Sequence, residues 1–129
     1  MTPYHLTVRS GLLFTRAALK HHGLFRVVNL LLDSGSSYTI LSWGTISSLG
    51  LDPAASEIRR PVTTANGLIL LPEVAIEEFH ALGQRLAWFS ILAHTIPLGR
   101  QVHGVLGMNF LRQFETCLNF KQATIQFYC

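Results

Sequence analysis

A chain of 129 residues is long enough for one domain with a substantial core and too short for two ordinary ones, so a single domain over residues 1–129 is expected. Hydrophobic residues make up 49% and charged residues 13%, a globular balance that leaves apolar surface over for a subunit interface. The net charge of +3 comes from scattered arginines such as Arg9, Arg16, Arg26, Arg59 and Arg60, with no arginine-aromatic stripe, which argues against a nucleic-acid partner.

Met1 to Ser10 lack the basic start, apolar run and small-residue cleavage site of a secretory signal, and no apolar stretch reaches the length of a membrane span. A soluble, cytoplasmic protein is the expectation. Cys117 and Cys129 are too few for a disulfide framework and read as a buried core thiol and a tail thiol. The six histidines, His5, His21, His22, His80, His94 and His103, show no ligand spacing with either cysteine. They read as surface or loop residues, with no metal and no cofactor expected.

In chain order, His5 to Leu19 reads as two short strands bent at Ser10-Gly11, and Lys20 to Gly23 as a turn. Leu24 to Leu32 is the next strand, pairing back as a hairpin. Thr39 to Leu41 is extended, and Ser42 is placed to cap a short helix through Leu49, stopped by Gly50 and Pro53. Glu57 to Thr64 and Leu68 to His80 are strand-like runs joined by Ala65-Asn66-Gly67, where Asn-Gly predicts a hairpin turn with positive φ at both residues. Pro61 and Pro72 in its arms place this hairpin partly free of the main sheet, as suits a lid. Arg85 to His94 is a further strand, Pro97 to Arg100 a loop, and Met108 to Phe114 a two-turn helix. Thr116 to Phe120 and Ala123 to Phe127 form a last hairpin, while Trp43 and Trp88 read as core or interface aromatics. Many strands and short helices predict an all-β fold with a compact, closed, barrel-like sheet.

The chain is organised around Leu30-Leu31-Leu32-Asp33-Ser34-Gly35-Ser36-Ser37, an apolar run that ends in a carboxylate and then in small residues. Burying a carboxylate at a strand end without partners is costly, so the fold must supply hydrogen bonds or a function must require the charge. Asp33 is therefore the candidate catalytic centre. The neighbouring hydroxyls do not make a serine-nucleophile site, because no nucleophile elbow surrounds them and no particular histidine stands out as their base. Asp-Ser-Gly alone is an acidic turn. Together with Thr64-Ala65-Asn66-Gly67 and with Val105-Leu106-Gly107 before a short helix, it resembles the retropepsin-like aspartic proteases, the single-domain bacterial and cellular relatives of the retroviral enzymes, over nearly the whole chain.

The resemblance implies an aspartic endopeptidase with Asp33 as the catalytic aspartate and Ser34 as a hydroxyl that bonds across a dimer axis. It implies that Gly35 lets backbone approach the substrate and that Ser36 hydrogen-bonds the carboxylate. Ala65, Asn66 and Gly67 correspond to the flap tip that closes over a peptide. Val105, Leu106 and Gly107 correspond to the turn packed behind the active-site loop, and Leu98 to His103 to a border of the side-chain pockets. A single aspartate motif implies a homodimer acting on a peptide or protein substrate at acidic pH, since two adjacent carboxylates share one proton. The rival expectation is a weakly active or inactive dimeric peptide-binding module of the same fold. Two departures stand out. An Asp usual in the place of Ser37 and an Arg usual in the place of Met108 are absent together, and Lys121 to Cys129 extends past the retroviral end, so the terminal sheet is expected to differ.

Overall fold

The computed structural model describes residues 2–129. In chain order it contains β1 (Tyr4–His5), β2 (Thr7–Arg9), β3 (Leu12–His21), β4 (Leu24–Leu32), β5 (Ile40–Leu41), α1 (Trp43–Ser47), β6 (Arg59–Thr64), β7 (Gly67–Ala81), β8 (Gln84–Ala93), β9 (Gly104–Leu106), α2 (Met108–Leu111), β10 (Thr116–Asn119) and β11 (Thr124–Phe127). The turns Ser10-Gly11, His22-Gly23 and Leu82-Gly83 all place a positive-φ residue before a positive-φ glycine, the turn geometry whose twist matches paired antiparallel strands. The predicted Lys20 to Gly23 turn thus shortens to two residues. Ser42 caps α1 as expected, its hydroxyl accepting the Thr45 N–H at 3.3 Å.

Strands β3, β4, β9, β5, β8 and β7 pair in that order, and β7 pairs back onto β3 from Ala17↔Ala81 to Lys20↔Glu78. The hydrogen bonds therefore run in a closed ring, as the strand count predicts. Inside it lie the fully buried Leu19, Leu30, Leu41, Ile76, Phe79, Leu106 and Phe110. Strand β6 pairs with β7 alone, so Pro61 sits in an edge strand, and the β6–β7 hairpin projects from the ring. Its tip differs from the Asn-Gly expectation. Thr64 pairs with Gly67, which leaves Ala65 and Asn66 as the loop, and only Gly67 of the Asn-Gly pair takes positive φ, at 113°.

Strand β9 decides where the Asp33 loop goes. It inserts between β4, to which it is parallel from Leu30↔Gly104 to Leu32↔Leu106, and β5, to which it is antiparallel at Ile40↔Val105. The chain must leave β4, pass over the end of β9, and return on its far side as β5. That crossing is the 33–39 loop. Gly104 is fixed by the same insertion, since a Cβ there would overlap the Ile40 carbonyl.

Two sequence expectations change at the C-terminal end. Helix α2 is one turn, not two: the Leu111 carbonyl is taken by the Phe114 N–H at 3.3 Å and the Thr116 hydroxyl at 3.2 Å, which closes the helix early. Cys117 is exposed and forms a disulfide with Cys129, so neither residue is a free thiol. The pairing follows from the hairpin register, Cys117↔Gln126, and from Tyr128, whose φ of 58° turns the tail back towards β10. The terminal strands form a three-stranded sheet with β11 in the middle, between β1 and β10. Trp43 and Trp88, 39% and 61% exposed, are not core residues, whereas His21 is buried instead of on the surface.

Candidate functional site

Asp33 is one residue past the buried end of β4. Its N–H donates to the Leu106 carbonyl at 3.0 Å, which carries the β4–β9 ladder one step further and fixes the backbone of the aspartate. The chain then turns sharply. The Ser36 N–H donates to the Asp33 carbonyl at 3.2 Å, and the Gly35 N–H donates to Asp33 Oδ1 at 2.9 Å. The carboxylate is thus held by its own loop through a local side-chain to backbone bond, with Asp33 half-buried and Ser34 and Gly35 exposed beside it. A Cβ at Gly35 would sit 3.2 Å from Asp33 Oδ1, closer than side chains ordinarily pack.

Ser36 does not hydrogen-bond the carboxylate as the resemblance implies. Its hydroxyl donates to the Tyr38 carbonyl at 2.7 Å, because the turn that brings the Ser36 N–H to Asp33 points its side chain onward along the loop. Behind the loop, the free N–H groups at the start of α2 are satisfied by loop carbonyls: Met108 donates to Ser36 at 2.7 Å and Asn109 to Ser37 at 3.1 Å. Ser37 and Met108, which lack the expected charge pair, are each bonded through backbone to the other's chain neighbour.

The knot is completed by two residues that the motifs do not include. Thr39 is fully buried; its hydroxyl donates to Asn109 Oδ1 at 2.8 Å and accepts the Gly107 N–H at 3.1 Å. Asn109 Oδ1 also takes the Thr39 N–H at 2.7 Å, and its amide group donates to the Ser90 carbonyl at 2.8 Å. Gly107 is required for steric reasons, since a Cβ would overlap the Tyr38 carbonyl. Val105, Leu106 and Gly107 therefore do lie behind the Asp33 loop. The sequence signal for Thr39 and Asn109 was present but weak: a hydroxyl in an apolar segment and an amide at the second position of a helix each need partners once buried.

In front of the carboxylate lies a cleft of about 350 Å³, lined by Asp33, Gly35, Ser36, Ser37 and Tyr38 on one side and by Pro61, Val62 and Thr63 of β6 on the other. The β6–β7 hairpin overhangs the cleft through its β6 arm. Ala65, Asn66 and Gly67 lie beyond it, at a tip held by the Thr64 hydroxyl, which donates to the Gly67 carbonyl at 2.8 Å. Tyr38, Val62 and Ile69 pack against the small buried cluster of Ile40, Leu71 and Leu92, which links the loop to the root of the hairpin. At that root Arg60 Nε lies 3.2 Å from Glu73 Oε1, and this hydrogen-bonded carboxylate holds the Arg60 pKa above its ordinary value. Leu98 to His103 do not line the cleft. Asn29 holds the end of that segment: its N–H donates to His103 Nδ1 at 2.9 Å and its amide group to the Gln101 carbonyl at 3.1 Å.

A second, larger groove of about 640 Å³ adjoins the loop and carries Ser34 in its wall. The rest of its lining is mainly apolar and includes Leu12, Leu32, Met108, Leu118 and Phe120. Asp33 and Ser34, adjacent in sequence, therefore serve two different concavities.

The chain matches the aspartyl protease family over residues 17–110, a span that takes in the Asp33 loop, the β6–β7 hairpin and Gly107. Its structure is similar to the crystal structure of a retropepsin-like aspartic protease from Rickettsia conorii, with a TM-score of 0.73 and 20% sequence identity, covering 96% of this chain and 88% of that one. No curated protein sequence matches the chain.

Proposed function

The chain belongs to the aspartyl protease family and has the retropepsin-like fold, and from that premise we propose that it is an endopeptidase that works as a homodimer, with Asp33 of each copy forming one catalytic pair. The observation that carries this reading is the support of Asp33: one half-buried carboxylate, fixed by Leu106 and Gly35, faces a cleft and has no second aspartate motif in the chain. Half a site needs a copy of itself.

With a two-fold axis beside the loop, the two Asp33 carboxylates approach closely, and like charges at that separation leave one proton shared between them. The ionised carboxylate takes a proton from a water lying between the pair while that water's oxygen attacks the scissile carbonyl carbon. The protonated carboxyl donates to the carbonyl oxygen, giving a neutral gem-diol. The protonated carboxyl then gives its proton to the amide nitrogen while the other carboxylate takes one from a gem-diol hydroxyl, the C–N bond breaks, and the products are a carboxylic acid and an amine, with the pair again sharing one proton. Gly35 leaves room for substrate backbone beside the pair, and the β6–β7 hairpin is the flap that covers it, with Ala65 to Gly67 at its tip. The Ser34 hydroxyl, in the wall of the apolar groove, bonds across the axis, and the groove is where the second copy packs.

Incubating wild type and Asp33→Asn with a diverse peptide mixture between about pH 3 and 7, the range in which carboxylates titrate, tests the reading. Wild type is expected to cut with an acidic optimum, and Asp33→Asn to lose at least about 10³-fold in rate with its fold intact. Cleavage that survives the substitution contradicts the mechanism, and binding without cleavage by both proteins favours the peptide-binding module.

A further inference from the structure

The far end of the ring carries a second cluster of functional groups. His21 and His22 stand at the β3–β4 turn, their rings stacked with centroids 4.2 Å apart, and both face Glu77 of β7. His22 Nε2 lies 3.1 Å from Glu77 Oε1, which also accepts the His22 N–H at 3.3 Å. The Glu77 N–H donates to His21 Nδ1 at 3.3 Å.

That last bond depends on an unusual backbone. Trp88 takes a φ of 52° in the middle of β8, a strained conformation for a bulky residue. The β7–β8 register pairs Ile76↔Phe89 and Glu78↔Ala87 but skips Glu77 opposite Trp88. The Glu77 N–H is thereby turned to the histidine, and the Trp88 ring meets His21 edge-on at 6.3 Å. His21 is 3% exposed, while the side chains of His22 and Glu77 are 72% and 34% exposed. Burial, with His22 beside it, holds the His21 pKa below the ordinary imidazole value.

We propose that His21, His22 and Glu77 form a binding site for a divalent transition-metal cation of the zinc type. One ring nitrogen of each histidine and one Glu77 carboxylate oxygen lie within 4.8 Å of one another. Among the described residues no other three His, Cys, Asp or Glu side chains converge in this way. Two imidazoles and a carboxylate are a borderline donor set suited to zinc, with water as the fourth ligand. Metal bonds of about 2.0–2.1 Å place tetrahedral ligands about 3.4 Å apart, so the triad must contract. The arrangement suits that movement: His21 is the anchored ligand, and His22 and Glu77 are free to close on it. The ion takes the His21 Nδ1 lone pair in place of the 3.3 Å bond from the Glu77 N–H, which is at the weak end of hydrogen-bond geometry. It ties the β3–β4 turn to β7. Strand β4 separates this cluster from Asp33, running from Leu24 beside the turn to Leu32 beside the aspartate, so the ion acts on stability and not on the cleft.

The test is a titration of the full chain with zinc alone, by calorimetry and by competition with a chelator, for wild type, His22→Ala, Glu77→Ala and the control His5→Ala. The first two substitutions change exposed or half-exposed side chains, and circular dichroism without metal checks that both variants fold. The expected result is one saturable equivalent per chain, a melting temperature that rises with zinc, binding at least about tenfold weaker in His22→Ala and Glu77→Ala, and wild-type binding in His5→Ala. Independently of the variants, the ring nitrogen resonances of His21 and His22 are expected to shift on adding zinc to wild type. Absence of a saturable equivalent, unshifted resonances, or wild-type affinity in His22→Ala or Glu77→Ala overturns the proposal.

Discussion

The Asp33 loop and the β6–β7 hairpin face each other across one cleft, yet they are held in opposite ways. The loop is fastened from behind: Leu106 holds the Asp33 N–H, α2 holds the Ser36 and Ser37 carbonyls, and Thr39, Asn109 and Gly107 close the knot through buried groups. The outer arm of the hairpin has one partner. Strand β6 pairs with β7 alone, Leu68 and Leu70 are 67% and 63% exposed, and its tip is held by local bonds. An element with few buried contacts opens at low cost, whereas a network of satisfied buried polar groups gives way only with the core. On the proposed function, a fixed carboxylate is paired with a movable cover, the division of labour that a cleft needs to admit and then enclose an extended chain.

Substitution on the fixed side is expected to have the largest effect. Gly107→Ala drives a methyl into the Tyr38 carbonyl, and because the overlap is with backbone, relief requires the loop to shift. Chemical denaturation is expected to show a loss of about 3 kcal/mol, and peptide cleavage a fall of at least about 100-fold as the aspartate moves. A variant as stable and active as wild type would show that the loop is not braced there. Next, Thr39→Val keeps the shape but strands the Gly107 N–H and removes one donor to Asn109, an expected loss of about 2 kcal/mol. On the movable side the ranking of stability and activity reverses. Leu70→Ser is expected to change stability by less than about 0.5 kcal/mol while lowering kcat/KM for a peptide by roughly tenfold. An unchanged kcat/KM would remove the hairpin from the reaction and break the contrast.

Much of this contrast is legible in the sequence, for local reasons. An apolar run ending in Asp-Ser-Gly, two prolines flanking a Gly-containing turn, and Val105-Leu106-Gly107 before a short helix each carry their geometry in neighbouring residues. What the sequence conceals depends on distant register. Ser36 is next to the aspartate, but whether its hydroxyl meets Asp33 or Tyr38 is decided by the turn that β9 imposes on the loop. The last hairpin is legible, but Cys117 and Cys129 meet because Tyr128 turns the chain back towards β10, which their spacing does not reveal. His21 is buried because β7 closes the ring onto β3 beside it, a pairing that joins Lys20 to Glu78, residues far apart in sequence. The same closure creates the His21, His22 and Glu77 cluster that histidine and cysteine spacing alone did not disclose.

The central claim is that one chain holds half a catalytic site, so assembly and activity must rise together. Sedimentation equilibrium and peptide cleavage, measured over the same range of protein concentration, test this directly. The account predicts that specific activity follows the fraction of dimer and vanishes as the protein dissociates. A constant specific activity in a concentration range where sedimentation shows only monomer would contradict it.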